Sequence, residues 1–293
     1  MRRRDFLSAG ALMLLGCRPH FGGLSIGSKN FTEQLILGEL LAQYLESALK
    51  TTVDRRFYLA GTYICQQALL AGRIDLYIEY TGTALAAVLK ENPILGHQQV
   101  FDLVKREYAR RFNLDVMPPL GFDNSFALVM RSPDAREKHL SRLSQLGPFA
   151  PQMRMGVGYE FLERPDGYNG LIRTYGLKFA EPPRVMDLGL LYRALESRQV
   201  DIVAGSNTDG LIAALKLAVL EDDFHYFPPY DAVPIVRAEA LRRYSGLAAA
   251  LNQLAGRISL QAMRQMNYAV DGEKKDAAAV VRNFLRENNL LSS

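Results

Sequence analysis

What most constrains the fold is an alternation of short apolar strand candidates with helical stretches, begun twice and interrupted once. Leu24-Ser25-Ile26-Gly27-Ser28 reads as a strand ending in turn residues. Phe31, Leu35, Ile36, Leu40, Tyr44 and Leu45 then fall on one face of a helix. Asn30 and Glu33 stand three apart at its start, the arrangement of a capping box. Val53 to Leu59 is a second strand, Tyr63 to Ala71 a second helix, Ile74 to Tyr80 a third strand and Thr83 to Lys90 a further helix. Such alternation predicts βαβ units and mainly parallel sheets, an α/β class.

The pattern changes at Met117-Pro118-Pro119-Leu120-Gly121, and Phe126 to Met130 opens a second set. It contains strands at 155–158 and 200–205 and helices near 170–175, near 188–198 and from Asp209. Phe227-Pro228-Pro229-Tyr230 closes this half. Helical patterns return from Ala238 to the end, with Asp276 as the cap of the last helix. The reading is two α/β lobes, residues 24–120 plus 228–293 and residues 121–227, joined by two crossing strands. A cleft between lobes suits closure on a small ligand.

The start of the chain carries a different signal. Arg2-Arg3-Arg4 precedes an apolar stretch from Phe6 to Leu15, too short to span a membrane and of the form of a secretory signal peptide. Arg3-Arg4-Asp5-Phe6-Leu7 looks like a twin-arginine export signal. Leu14-Leu15-Gly16-Cys17 resembles a bacterial lipobox, in which Cys17 would be acylated and tether the chain to a membrane; Leu15 stands where a smaller residue is usual. An ordinary signal peptide with an incidental cysteine is the other reading. Residues 1–23 are set apart as signal and tether.

Composition excludes several classes. Without Arg2, Arg3, Arg4 and Asp5 the chain has 32 basic and 30 acidic residues, a near-neutral body that does not suggest a nucleic-acid surface. Cys65 lies in a helical run and reads as a small core residue, with a disulfide to Cys17 as the alternative. His20, His97, His139 and His225 are scattered without ligand spacing, so no metal site is expected. His225 lies beside Asp223 and Phe224 with no serine or cysteine to complete a triad. Asp201 and Asp209 read as a strand-end and a helix-start residue. Gly156-x-Gly158 lacks the last glycine of a dinucleotide fingerprint. The chain is read as a non-enzyme without a cofactor.

Six segments, in order, resemble the substrate-binding proteins of osmoprotectant ABC importers, which take up glycine betaine, choline, carnitine and related quaternary amines. They are Ile26-Gly27-Ser28-Lys29-Asn30-Phe31-Thr32-Glu33-Gln34, Ala60-Gly61-Thr62, Asp75 to Thr83, Gly121 to Leu128, Asn207-Thr208-Asp209-Gly210 and Asp222 to Ala232. The resemblance implies a two-lobed type II periplasmic-binding-protein fold, a location in the periplasm or cell envelope, ABC permease and ATPase subunits as partners, and a monomer.

A quaternary ammonium has no N–H to donate, so aromatic faces must hold it, each contact worth about 0.5–2 kcal/mol when desolvated. Tyr80, Tyr226 and Tyr230 lie in the matching segments, and the chain has no tryptophan. Lys29, Asn30, Gln34, Thr62 and Thr81 offer donors for a carboxylate near helix N-termini. Lys29 could instead be a solvated loop residue and Asn30 the helix cap. Asn124, Phe126, Ser206, Asn207 and Thr208 complete the implied ligand set. Two positions depart from the family. Phe126 and Ser206 stand where tyrosines are usual, and Ser206 removes a cage wall. That change points to weaker betaine binding or to a larger or more polar solute. An amino acid or opine, with Glu79 meeting its ammonium, and a ligand-sensing role on the same fold remain alternatives; Glu79 reads equally as an exposed strand residue.

Overall fold

A computed structural model describes residues 23–92 and 96–291. The basic start, the apolar stretch, Cys17 and His20 lie outside them. Among the described residues, no helix is long and apolar enough to cross a membrane. Ten strands form two five-stranded sheets. One is built from β1 (Leu24–Gly27), β2 (Val53–Arg56), β3 (Leu76–Tyr80), β4 (Leu114–Val116) and β10 (Ala232–Arg237), ordered β2-β1-β3-β10-β4. The other uses β5 (Phe126–Arg131), β6 (Met155–Val157), β7 (Arg184–Val185), β8 (Ile202–Ser206) and β9 (Leu217–Leu220), ordered β7-β6-β8-β5-β9. Each sheet anchors one lobe.

The expected parallel sheets are mixed. β1 runs parallel to β2 and β3, and β6 parallel to β7 and β8. β10 runs antiparallel to β3 and β4, and β5 antiparallel to β8 and β9. The exceptions are the two strands that follow a crossing. Each enters its sheet from the other lobe and so runs against strands laid down by βαβ units.

Alternation along the strands builds the layers. On β3, Leu76, Ile78 and Tyr80 join the cluster formed with the helix Thr32–Leu49. Tyr77 turns to the opposite cluster, with Cys65, Leu69, Val100 and Val104. The C-terminal helices Leu260–Asp271 and Ala277–Glu287 pack on Thr32–Leu49, so the end of the chain returns to the first sheet. Asp276 caps the last helix, accepting from the Ala279 amide at 2.9 Å. Cys65 is fully buried and its thiol is pushed up to about 12 by desolvation, as fits a packing residue. The capping box at Asn30 and Glu33 does not form: Phe31 is the N-cap and no side chain caps the helix. The expected helix at 83–90 is a short turn, Thr81–Thr83, running into a π-helix, Ala84–Leu89. The spacing also hid the helix His97–Phe112.

The two crossing segments pair with each other between the sheets. The amides of Met117 and Leu120 donate to the carbonyls of Pro234 (2.9 Å) and Ala232 (2.8 Å). Ala232 donates to Phe122 (3.1 Å) and Asn124 to Tyr230 (3.0 Å). Gly121 sits in this ribbon at φ +119°, and a Cβ there would lie 2.8 Å from the Ile258 carbonyl oxygen. Gly121→Ala is therefore expected to cost about 1–3 kcal/mol of stability, read as an earlier urea unfolding midpoint by circular dichroism; an unchanged midpoint would show that the ribbon is not strained.

Candidate functional site

A cleft of about 1040 Å³ opens between the sheets where the ribbon crosses. Its wall is set by β3, β5, β8 and the residues just before β10. Phe126 heads β5 and Tyr230 precedes β10; their rings meet edge to face with centroids 5.6 Å apart. Phe161 and Phe227 pack on Phe126 at 4.8 and 5.6 Å. Tyr80, at the end of β3, completes the aromatic lining. Gly82 is required here, since a Cβ would lie 2.7 Å from the Tyr230 ring.

Two buried ion pairs flank these rings. Arg164 and Asp166 form one: the guanidinium is forked onto the carboxylate and also donates to the Thr83 hydroxyl at 2.9 Å. It stacks over Phe126 at 5.0 Å and Tyr230 at 5.6 Å, and the Tyr230 hydroxyl donates to Asp166 at 2.6 Å. Burial opposes the charge on Arg164, but the Asp166 carboxylate overrides it and holds the guanidinium well above its ordinary range. Lys29 and Glu79 form the other, with Lys29 4.9 Å from the centre of the Tyr80 ring. Glu79 is fully buried and also accepts from the Tyr77 hydroxyl (2.9 Å) and the Tyr80 amide (2.8 Å). Neither an exposed strand position for Glu79 nor a solvated loop for Lys29 is what the fold contains.

A third set of charges has no cation. Glu33 is buried and accepts from the Tyr80 hydroxyl (2.7 Å), Asn124 Nδ2 and Asn267 Nδ2 (2.9 Å). Asp209 accepts from the Tyr192 hydroxyl (2.5 Å) and the Ser206 amide (2.8 Å). Burial first, and then the neighbouring carboxylates of Glu33 and Asp271, push the Asp209 carboxyl up to about 6, against the two hydrogen bonds that lower it.

Of the residues the sequence singled out, Lys29, Asn30, Tyr80, Asn124, Phe126, Ser206 and Tyr230 line the cleft. Gln34, Thr62, Thr81, Asn207, Thr208 and Tyr226 do not. The Thr81 hydroxyl donates to the Pro229 carbonyl and accepts from the Asp231 amide. Thr208 pairs with Ser206, and the Tyr226 hydroxyl is spent on the Pro165 and Gly167 carbonyls. The Thr62 amide, at a helix N-terminus expected to face a carboxylate, is taken at 2.7 Å by Glu160 from the other lobe. Sequence reasoning missed Arg164, Glu33 as a site residue, and Thr83. It also missed a meeting of His97, Asp123 and Asp231 at the crossing ribbon, where three potential metal-ligand atoms lie within 4.8 Å.

Two expectations follow. Glu160 and Thr62 join the lobes through one charge-assisted bond, worth about 0.5–1.5 kcal/mol. Glu160→Ala should therefore weaken ligand binding about two- to twelvefold by calorimetry; equal affinity would mean that the bond does not support the ligand-holding form. For Asp209, whose folded pKa exceeds the unfolded value, the folded state binds the extra proton between about pH 4 and 6, so stability falls as pH rises through that window. Its neighbours Tyr192, Glu33 and Asp271 are unchanged in Asp209→Asn, which should melt higher than the parent at pH 7.5, with the gap closing near pH 4. A gap that does not change with pH would assign the difference to something other than this charge.

Residues 22–287 match the family described as the substrate binding domain of ABC-type glycine betaine transport systems. The chain is 32% identical over 293 residues to a carnitine transport binding protein of Listeria monocytogenes, covering 97% of this chain and 94% of that one. It is 34% identical over 268 residues to an ergothioneine transport permease/ergothioneine binding protein of Helicobacter pylori, covering 91% of this chain and 48% of that longer one. A crystal structure titled as a glycine betaine/carnitine/choline ABC transporter superposes with a TM-score of 0.76 at 31% identity, over 92% of this chain and 100% of that one. An α/β chain folded as two lobes, with an aromatic cleft at the crossing, is what such relatives share, and the chain belongs to this family of ABC-transporter substrate-binding domains.

Proposed function

We propose that the protein captures a zwitterionic quaternary amine of the betaine type for import, and that it does so without catalysing a reaction. The observation that carries the reading is Arg164 lying 5.0 Å from the Phe126 ring and 5.6 Å from the Tyr230 ring in the cleft. A quaternary head on the free aromatic surface of Tyr80, Phe126 and Tyr230 would bring a carboxylate a few bonds away up to the guanidinium. The Arg164 donors not engaged with Asp166 and Thr83, together with Lys29 and Asn30 on the opposite wall, would receive it. Two like charges about 6 Å apart repel by roughly 3 kcal/mol at an effective dielectric of 20. A cation without a carboxylate therefore fits this wall less well than a betaine. An amino acid or opine held through Glu79 is disfavoured, because that carboxylate is spent on Lys29.

The remaining parts of the reading follow from the same assignment. Residues 24–120 plus 228–293 form the lobe that carries Lys29 and Tyr80, and residues 121–227 the lobe that carries Phe126 and Arg164. Ligand contacts to both lobes favour the closed form, which docks on a permease served by an ATPase. The basic and apolar start exports the chain, by the twin-arginine route, and Cys17 anchors it by lipid at the outer side of a membrane, where it acts as a monomer.

The test is calorimetry of the purified protein with glycine betaine and choline. Glycine betaine should bind in the micromolar range and choline at least tenfold more weakly. Arg164→Met should narrow that gap, and Tyr230→Ala should weaken both ligands. No heat with any quaternary amine at millimolar concentration would remove the assignment and leave the fold.

A further inference from the structure

Ser206 pairs across the sheet with Phe126, so the two side chains are neighbours on the cleft wall. The volume that an aromatic residue would fill at 206 is left open and is bounded by polar groups. Ser206 Oγ is bonded to Asn124 Oδ1 and lies 2.9 Å from the Thr208 hydroxyl. Asn124 donates in turn to Glu33. Gly205 has no side chain there, and a Cβ would lie 2.2 Å from the Tyr192 hydroxyl, so glycine lets that hydroxyl reach Asp209. The far side is lined by Ala204, Leu211 and Ala214, which leave room.

The charge and hydrogen-bond account at this end of the cleft does not close within the protein. Among the described residues, neither Glu33 nor Asp209 has a lysine or arginine at ion-pair distance, whereas Lys29 and Arg164 are each matched by a carboxylate. Both Asp209 hydrogen bonds go to Oδ2, and Oδ1 accepts none. Asn267, 2% exposed and on the cleft wall, donates to Glu33 and to the Thr208 carbonyl, and its Oδ1 is buried without a partner. Buried acceptors and carboxylates left in this way are costly unless a donor reaches them.

We propose that Glu33, Asp209 and Asn267, with Ser206 giving access, form a second subsite that takes an N–H-bearing side chain of an amino-acid betaine, while the aromatic wall and Arg164 hold its quaternary head and carboxylate. The inference rests on the betaine reading above and narrows it. Glycine betaine, with no side chain, leaves the subsite unfilled, and the cleft is at the upper end of the roughly 300–1,000 Å³ usual for small-molecule sites. A side chain with one or two N–H groups, such as an imidazole or an ammonium, supplies the donors that Asp209 Oδ1 and Asn267 Oδ1 lack.

The test compares three trimethylammonium betaines by calorimetry with the purified protein: glycine betaine, phenylalanine betaine and histidine betaine. The last two differ in whether the ring donates a hydrogen bond. Histidine betaine should bind at least tenfold more tightly than phenylalanine betaine. Asp209→Asn, which can still accept from Tyr192 and the Ser206 amide, should reduce that ratio at least fivefold. Ser206→Tyr should exclude both ring-bearing betaines relative to glycine betaine. Equal binding of the two ring-bearing betaines, or a ratio unmoved by Asp209→Asn, would overturn the subsite and leave the betaine reading intact. Failure of all three to bind would overturn the betaine reading and the subsite with it.

Discussion

The structure depends on the chain crossing twice between sheets and pairing with itself as it does so. The bonds among Met117, Leu120, Phe122, Asn124, Tyr230, Ala232 and Pro234 hold the two segments as a short antiparallel ribbon. Because the ribbon is continuous with β10 on one side and β5 on the other, it fixes Tyr230 and Asn124 against Phe126 and Tyr80, whichever way the lobes move. The floor of the cleft is thus preorganised. What remains adjustable is the gap between walls, spanned by the bond from Glu160 to the Thr62 amide. A binding protein needs both properties: a fixed floor keeps the ordering cost of capture low, and a movable wall lets ligand contacts shift the lobe equilibrium.

The charges in the cleft fall into two kinds. Arg164 and Lys29 are neutralised by Asp166 and Glu79 and are anchored further by Thr83, Tyr230 and Tyr77. Buried pairs of this kind add little net stability, because desolvation offsets their attraction. Their effect is positional: they hold two cations beside aromatic faces without leaving the empty cleft strongly positive. Glu33 and Asp209 are different, being satisfied by neutral donors alone. Hydrogen bonds from hydroxyls and amides keep these carboxylates in place, but the negative charge is left for a ligand to meet.

Much of this was legible from residues alone. Period-two and helical spacing found β1, β3, β5, the helix Thr32–Leu49 and the Asp276 cap, because those elements are amphipathic or carry a local capping signal. The return strand β10 was not separated, since Ala232–Arg237 is apolar on both faces and carries no alternation. Glu33 was hidden by its position: three residues after Asn30, at a helix start, it reads as a capping partner, and only the approach of Tyr80, Asn124 and Asn267 from three other segments gives it another role. Arg164 sits in the turn Glu163-Arg164-Pro165-Asp166, where no periodicity says which way a side chain points. Tyr226 failed in the opposite direction, since a motif tyrosine in a loop looks like a cage wall until its hydroxyl is found on two carbonyls.

The same comparison explains why Ser206 is informative where most single departures are not. Loss of an aromatic wall on its own would remove one ring contact, about 0.5–2 kcal/mol. Had the space behind it been apolar, the change would be a plain loss. Here the exposed groups are a carboxylate oxygen without a donor and a buried amide oxygen without a partner, beside a second carboxylate that no cation faces. An unmet acceptor of this kind penalises the empty site and rewards a ligand that brings a donor, by about 1–3 kcal/mol for each group satisfied. Such a gain is comparable to the ring contact given up. The substitution therefore exchanges part of a general grip on quaternary nitrogen for a specific demand on the rest of the ligand, and selectivity in this chain is set less by the cage it shares with its relatives than by the polar gap beside it.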